Sequence, residues 1–258
     1  MPGPREARTR LIRIIRDIAA GNYSEEILDL TGPEQPVEIQ EIAEAVATMM
    51  VRIEAREQHL QQLNETIKHN ALRTVTSIAQ ALGARDQYTE GHGERVAAYS
   101  MRTGRRMGLP RRECENLRVA GLLHDIGKIG FSDRMFRDDD MSPDESMMLE
   151  IRSHPQWGFD ILAGLEFLGP ALEYVHAHHE RLDGQGYPRG LAEKEIPLGA
   201  RIIAVADCFD AITTDRPYQR GRPPEDAFRI LGENSGGALD ADVVEAFIAE
   251  VEENGLES

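Results

Sequence analysis

The sequence predicts an all-α protein in two parts, on three observations. Apolar residues recur at steps of three and four along nearly the whole chain. Strand-type alternation is almost absent. The texture also changes near Leu72: before it glycines are few and histidines unclustered, and after it both recur in short punctuating motifs. The expected parts are a helical module over residues 8–70 and a larger helical bundle over residues 72–253.

The first element is an amphipathic helix, Arg8 to Ala20, with Leu11, Ile12, Ile14, Ile15 and Ile18 apolar and Gly21-Asn22 ending it. A connector of turn formers follows, through Thr31-Gly32-Pro33 and Pro36. Next comes the series Ile39, Ile42, Val46, Met49, Ile53, Arg56, Leu60, Leu63 and Ile67, whose steps alternate three and four with one polar intruder. Two apolar positions per seven make a stripe too narrow for a globular face, so the series reads as a coiled-coil seam and predicts a homodimer. One amphipathic helix packed on its own domain is the plainer alternative. The helix–connector–helix order over Ile15 to Met50, with Ile18-Ala19-Ala20-Gly21-Asn22-Tyr23 at the joint, resembles a HAMP signal-relay module.

In the second part, helical periods run over Thr74–Ala84, Glu94–Met107, Arg112–Leu123, Pro143–Arg152, Phe159–Leu165, Ala171–His178, Leu198–Ile212, Pro224–Leu231 and Asp240–Val251. Ser142-Pro143-Asp144-Glu145 reads as a capping box that opens one of them.

Bulk properties narrow the function. A formal net charge of −16 repels polyanions, so no nucleic acid polymer is expected as a partner. A phosphate-bearing ligand would need a local positive site. Two distant cysteines, Cys114 and Cys208, form no disulfide framework and suit a reducing cytoplasm, possible also for the cytoplasmic part of an anchored receptor. The longest apolar runs are too short to span a bilayer, and the basic start lacks the apolar core of a secretory signal.

The chemistry gathers in the histidines. The chain has eight, and those at 92, 124, 154, 176, 178 and 179 fall in the second part. His124-Asp125 closes an apolar helix before Ile126-Gly127-Lys128; His178-His179 precedes Glu180-Arg181; Asp207 follows the apolar run Ile202 to Ala206. Any one of these could be a hydrogen-bonded core histidine or a helix-end aspartate. Adjacent His-Asp and His-His pairs on buried helices are harder to explain that way, because desolvating their polar atoms costs several kcal/mol unless something compensates. A metal ion compensates both. Imidazole plus carboxylate with no nearby thiolate suits iron, manganese or zinc in a reactive centre rather than a structural zinc site. An aspartate such as Asp125 can bridge two ions through its two oxygens, and two ions suit in-line displacement at phosphorus.

His124-Asp125-Ile126-Gly127-Lys128, His178-His179-Glu180-Arg181 and Asp183-Gly184-Gln185-Gly186-Tyr187-Pro188, then Asp207, Asp210-Ala211 and Arg216-Pro217-Tyr218, strongly resemble the HD-GYP family of the HD superfamily, over roughly Leu72 to Glu253. The resemblance implies an HD-type bundle that hydrolyses cyclic di-GMP to the linear dinucleotide or GMP, using two divalent ions, iron first and manganese second. It implies His92, His124, Asp125 and Asp207 around one ion, and His154, His178 and His179 around the other, with Asp125 bridging. Asp125 and Lys128 would be catalytic, through attack by a metal-held hydroxide with Lys128 on the scissile phosphate. Arg181, Asp183, Tyr187, Asp210 and Arg216 would contact substrate with Lys128, although Asp210 could instead hold a ligand histidine. Some members carry a glutamate four residues before the first histidine, which supports a third ion; Tyr88 stands there, so two are expected. Arg137 to Asp140 also departs from the family's lysine-rich pattern. A non-hydrolysing binding module and a hydrolase of a mixed cyclic dinucleotide remain the alternatives.

Overall fold

A computed structural model describes residues 4–85, 91–136, 144–215 and 220–256. Expectations that fall on Tyr88, Arg137 to Asp140, Ser142-Pro143 and Arg216-Pro217-Tyr218 lie outside them. The all-α expectation holds: nine α-helices and five short 3-10 turns carry the described residues, and the one β-type pairing among them is the isolated bridge of Ser235 with Leu239. No helix among the described residues is long and apolar enough to cross a membrane. By its contacts the chain divides into two compact units, Met1–Ala71 and Leu72–Ser258.

In the first unit, α1 (Pro4–Ala19) buries Leu11, Ile14 and Ile18. They pack with Ile27 and Leu30 of the turn Glu25–Leu30 and with Ala43 and Met50 of α2 (Val37–Arg85). Ser24 caps the turn by accepting from the Glu26 amide. Ion pairs Arg10–Asp29 at 2.5 Å and Arg13–Glu26 at 2.6 Å flank this core. The seam divides. Ile39 and Val46 pack on the unit's own core, whereas Ile42, Met49, Leu60, Leu63 and Ile67 are each between 46% and 58% exposed. The seam and the helical period expected over Thr74–Ala84 fall in one helix: residues 68–73 hold no glycine or proline, so nothing interrupts the helical hydrogen bonds.

In the second unit, α3 (His92–Arg106), α4 (Arg111–Leu123), α6 (Pro170–Ala177), α7 (Leu198–Thr213), α8 (Pro224–Asn234) and α9 (Ala241–Asn254) share one core. Leu117, Leu123, Ile202, Ile203, Phe209 and Phe247 are almost wholly buried in it, each contributing about 1.5–3 kcal/mol of transfer free energy. The helices expected over Pro143–Arg152 and Phe159–Leu165 are one helix, α5 (Glu145–Leu162), which continues through Pro155. It begins at Asp144, whose carboxylate accepts from the Met147 amide.

Candidate metal centre

The second unit sets its site at helix ends, where backbone carbonyls are left without an amide partner. His124 follows the last turn of α4, and its Nδ1–H donates to the Gly121 carbonyl at 2.8 Å. His178 follows the last turn of α6 and donates in the same way to Val175 at 2.7 Å. His154 lies inside α5, where a carbonyl would normally be taken. There Pro155, which has no N–H, leaves the Ile151 carbonyl free, and the His154 Nδ1–H donates to it at 2.7 Å. The proline inside the helix thus makes room for a ligand-type tautomer. In all three imidazoles the proton is held at Nδ1 and the Nε2 lone pair is turned inward. His92, the first residue of α3, points its Nδ1–H instead at Asp210 Oδ2, 2.7 Å away.

Two glycines let these segments meet. A Cβ on Gly127 would sit 1.9 Å from the His154 carbonyl oxygen, so only glycine lets the turn after Asp125 close on α5. A Cβ on Gly186 would lie 2.4 Å from the Arg181 amide nitrogen, which lets the loop before Tyr187 fold back on His179. Buried Glu180 fixes that loop by accepting from the Arg189 and Leu191 amides at 2.7 and 2.9 Å.

The result is two clusters of possible ligands, His92 with His124 and Asp125, and His154 with His178 and His179. Asp207 joins the first, its Oδ1 lying 3.2 Å from His92 Nε2 and 3.9 Å from His124 Nε2. Asp125 stands between them. Its Oδ2 is 3.4 Å from His124 Nε2 and its Oδ1 is 3.4 Å from His154 Nε2, so each oxygen addresses a different cluster. Within the clusters, His92 and His124 bring their Nε2 atoms to 3.2 Å, and His154 and His178 to 3.3 Å. With the proton of His124, His154 and His178 held at Nδ1, the His154 and His178 lone pairs oppose each other, a repulsive contact that a bound cation would relieve. The donor set therefore fits divalent cations, which His92, His124, Asp125 and Asp207 would hold on one side and His154, His178, His179 and Asp125 on the other.

Electrostatics separate the two sides. Burial opposes charge on His92, but the Asp207 and Asp210 carboxylates outweigh it and push its pKa up to about 10. Burial pushes His154 down to about 3, and drives His178 and His179 down as well. Burial also works against the Asp125 anion, yet Lys128 and the surrounding imidazoles hold it well below the ordinary carboxylate range. Lys128 Nζ is 2.6 Å from Asp125 Oδ2.

The remaining expected residues divide. Lys128, Tyr187 and Asp210 line the cavity of about 440 Å³ over the clusters, with His92, His154, His179 and Asp207. Asp210 is nearly fully buried, and both its oxygens are engaged, by His92 and by the Arg95 guanidinium at 2.6 and 3.0 Å. Its position holds the His92 ring, the second of the two roles expected of it. Arg181 and Asp183 are exposed, pair with each other at 2.6 Å and do not line the cavity, because Asp183 also accepts from the Gln185 amide to close the turn on the outer side of the loop. Arg216 lies outside the described residues. Sequence reasoning missed Arg95, whose only sign was a basic residue one turn after His92, and missed Phe131, Met135 and Phe136, which also line the cavity.

The sequence profile of the HD domain matches residues 47–243, more than half of the chain. A cyclic di-GMP phosphodiesterase of Thermotoga maritima is 42% identical over 167 residues, covering 64% of this chain and 45% of its own length. A 3′3′-cGAMP-specific phosphodiesterase of Vibrio cholerae is 39% identical over 166 residues, covering 64% of this chain and 36% of its own. The chain thus spans less than half the length of these curated relatives. A crystal structure of a cyclic GMP-AMP specific phosphodiesterase from V. cholerae superposes with a TM-score of 0.56 at 21% identity, covering 72% of this chain and 49% of that one, a likeness of fold. The motifs around His124, His178 and Tyr187 agree with that company, and the chain belongs to the HD-domain family, in its HD-GYP type.

Proposed function

We propose that this chain hydrolyses a cyclic dinucleotide, cyclic di-GMP first, to the linear dinucleotide pGpG or onward to GMP, at a centre of two divalent ions with iron as the native metal and manganese as a substitute. The observation that carries the proposal is the position of Asp125, one oxygen turned to each cluster. Bound divalent ions at such a site lower the pKa of water and polarise phosphoryl oxygens. The chain's own residues do the rest. His124, His154 and His178, fixed at Nδ1 by backbone carbonyls, keep the ligand geometry without rearrangement. Lys128, beside Asp125, brings a positive charge to where a phosphodiester would gain negative charge, in a protein otherwise acidic. Tyr187, packed on His179 with ring centroids 4.9 Å apart, closes one side of the cavity.

The 39% identity to a 3′3′-cGAMP-specific relative supports the mixed guanine–adenine dinucleotide as a second substrate. Incubating the anaerobically purified, Fe(II)- or Mn(II)-loaded protein with each dinucleotide and resolving the products by chromatography tests both. Linear product from cyclic di-GMP is expected. Absence of turnover by protein holding stoichiometric metal would overturn the activity.

We take residues 72–253 as the catalytic domain and residues 8–70 as a HAMP-like relay on the cytoplasmic side, with Cys114 and Cys208 as free thiols. Two chains would pair along the exposed Ile42, Met49, Leu60, Leu63 and Ile67, which their own unit leaves uncovered. Light scattering that returned a monomer mass would remove the pairing.

A further inference from the structure

The cavity over the clusters is lined by two unlike kinds of side chain. Its lining includes candidate metal ligands, His92, His154, His179 and Asp207, with Lys128 as the cation a phosphate would meet; it also includes Phe131, Met135, Phe136 and Ile151. Nothing in the hydrolysis of a phosphodiester calls for an aromatic wall. These side chains are not core residues displaced to the surface either, because Phe131, Met135 and Phe136 belong to none of the apolar core clusters among the described residues.

They are nonetheless held firmly. Phe131 meets His154 edge to face, with ring centroids 5.9 Å apart, and lies 6.4 Å from Trp157 and 6.2 Å from Phe136. Phe136 closes the turn Asp133–Phe136, and α5 anchors that turn through Glu150. The Glu150 carboxylate accepts from the Ser132 amide at 2.8 Å and from Arg134 at 2.9 Å, and both its oxygens lie within 3.0 Å of the Ser132 hydroxyl. Arg134 Nε also donates to that hydroxyl at 3.1 Å. A partly exposed aromatic pair fixed by a charged clamp beside a reactive centre is a stacking platform, since a π face attracts any flat base without demanding a particular edge.

We propose that Phe136, with Phe131 and Met135 of the same lining, is the subsite on which a purine base of the substrate stacks while its phosphodiester lies at the candidate metal clusters. The proposal rests on the cyclic-dinucleotide activity put forward above. It adds that affinity for the dinucleotide is set by this shelf and is separable from the chemistry at phosphorus.

The test uses the metal-loaded full chain, two substrates and two variants. Cyclic di-GMP presents purines; methyl p-nitrophenyl phosphate is a diester with none. Phe136→Ala is expected to raise KM for cyclic di-GMP about tenfold, the size of losing one stacked base, with kcat little changed and kcat/KM for the small diester within about twofold. Phe136→Trp restores the parent KM, which a purely structural role for the ring would not require. An unchanged KM, or equal losses on both substrates, overturns the shelf and leaves the activity standing. If the unmodified protein turned over neither diester, the activity would fall first, and titration of cyclic di-GMP alone would judge the shelf. Equal dissociation constants for parent and Phe136→Ala overturn it, and roughly tenfold weaker binding by the variant supports it.

Discussion

The two halves of the candidate metal centre are built by different means. Around His92 the side chains are charged: Asp207 stands at Nε2, Asp210 at Nδ1, and Arg95 behind Asp210. Around His154 and His178 the anchors are backbone carbonyls and the neighbours are rings, with Asp125 as the carboxylate on that side. The consequence shows in the proton equilibria. His92 is pushed up to about 10 by its carboxylates, and His154 is pushed down to about 3 by burial. The side with Asp125 and Asp207 offers a cation two carboxylates, although His92 must first give up its Nε2 proton; the other side offers Asp125 alone. The carboxylate half should fill first and release its ion last, and Asp125 should be the one residue on which both halves depend.

Removing that shared residue is the severest way to break the contrast. Asp125→Ala takes an oxygen from each cluster and removes the carboxylate 2.6 Å from Lys128. Metal analysis should show both ions lost, with kcat reduced on the order of 10³ or more, as when one member of a catalytic unit is deleted. Full turnover by this variant would end the bridging role. A milder pair separates the halves. Asp207→Asn should weaken the first-filled ion and His154→Ala the second, each leaving roughly one of the two ions that such centres hold, and a manganese titration followed by calorimetry would assign them. Identical titration curves for the two variants would mean the halves are not distinct.

The motif-bearing parts of this site were legible because each is local. A histidine beside an aspartate at a helix end carries its own desolvation problem; the close backbone approaches at Gly127 and Gly186 showed only in the structure. Helical class followed from apolar spacing alone. What the sequence hid is long-range or depends on direction. Arg95 reaches Asp210 across 115 positions, and no local pattern marks it among the other basic residues of α3. Arg181 and Asp183 sit within the motif, but a turn exposes them on its outer side, and adjacency in sequence does not say which side a residue takes. Pro155 would end a helix by its intrinsic preference; here the carbonyl that it frees is the one His154 uses. The seam of α2 was visible as a stripe, yet its division between Ile39 and Val46 inside and Ile42 and Met49 outside depends on where α1 packs.

The smallest change sharpens the comparison most. Arg95 touches none of the proposed ligands' metal-facing atoms; it holds Asp210 by Nε and Nη2, and Asp210 holds the His92 Nδ1–H. Arg95→Gln keeps a donor only as far out as Nε and removes the charge and the two-pronged grip. Loss of such an outer partner typically weakens metal binding by about 10–100-fold. The loss should be confined to the ion of the carboxylate half, because His154 and His178 owe their orientation to backbone carbonyls that the change does not reach. Chelator competition on the loaded protein reads this without any turnover assay. Arg95→Lys, which restores charge but not the fork, should recover part of the affinity. Equal weakening of both ions would show that the two halves share one support, and the contrast drawn from their anchors would fail.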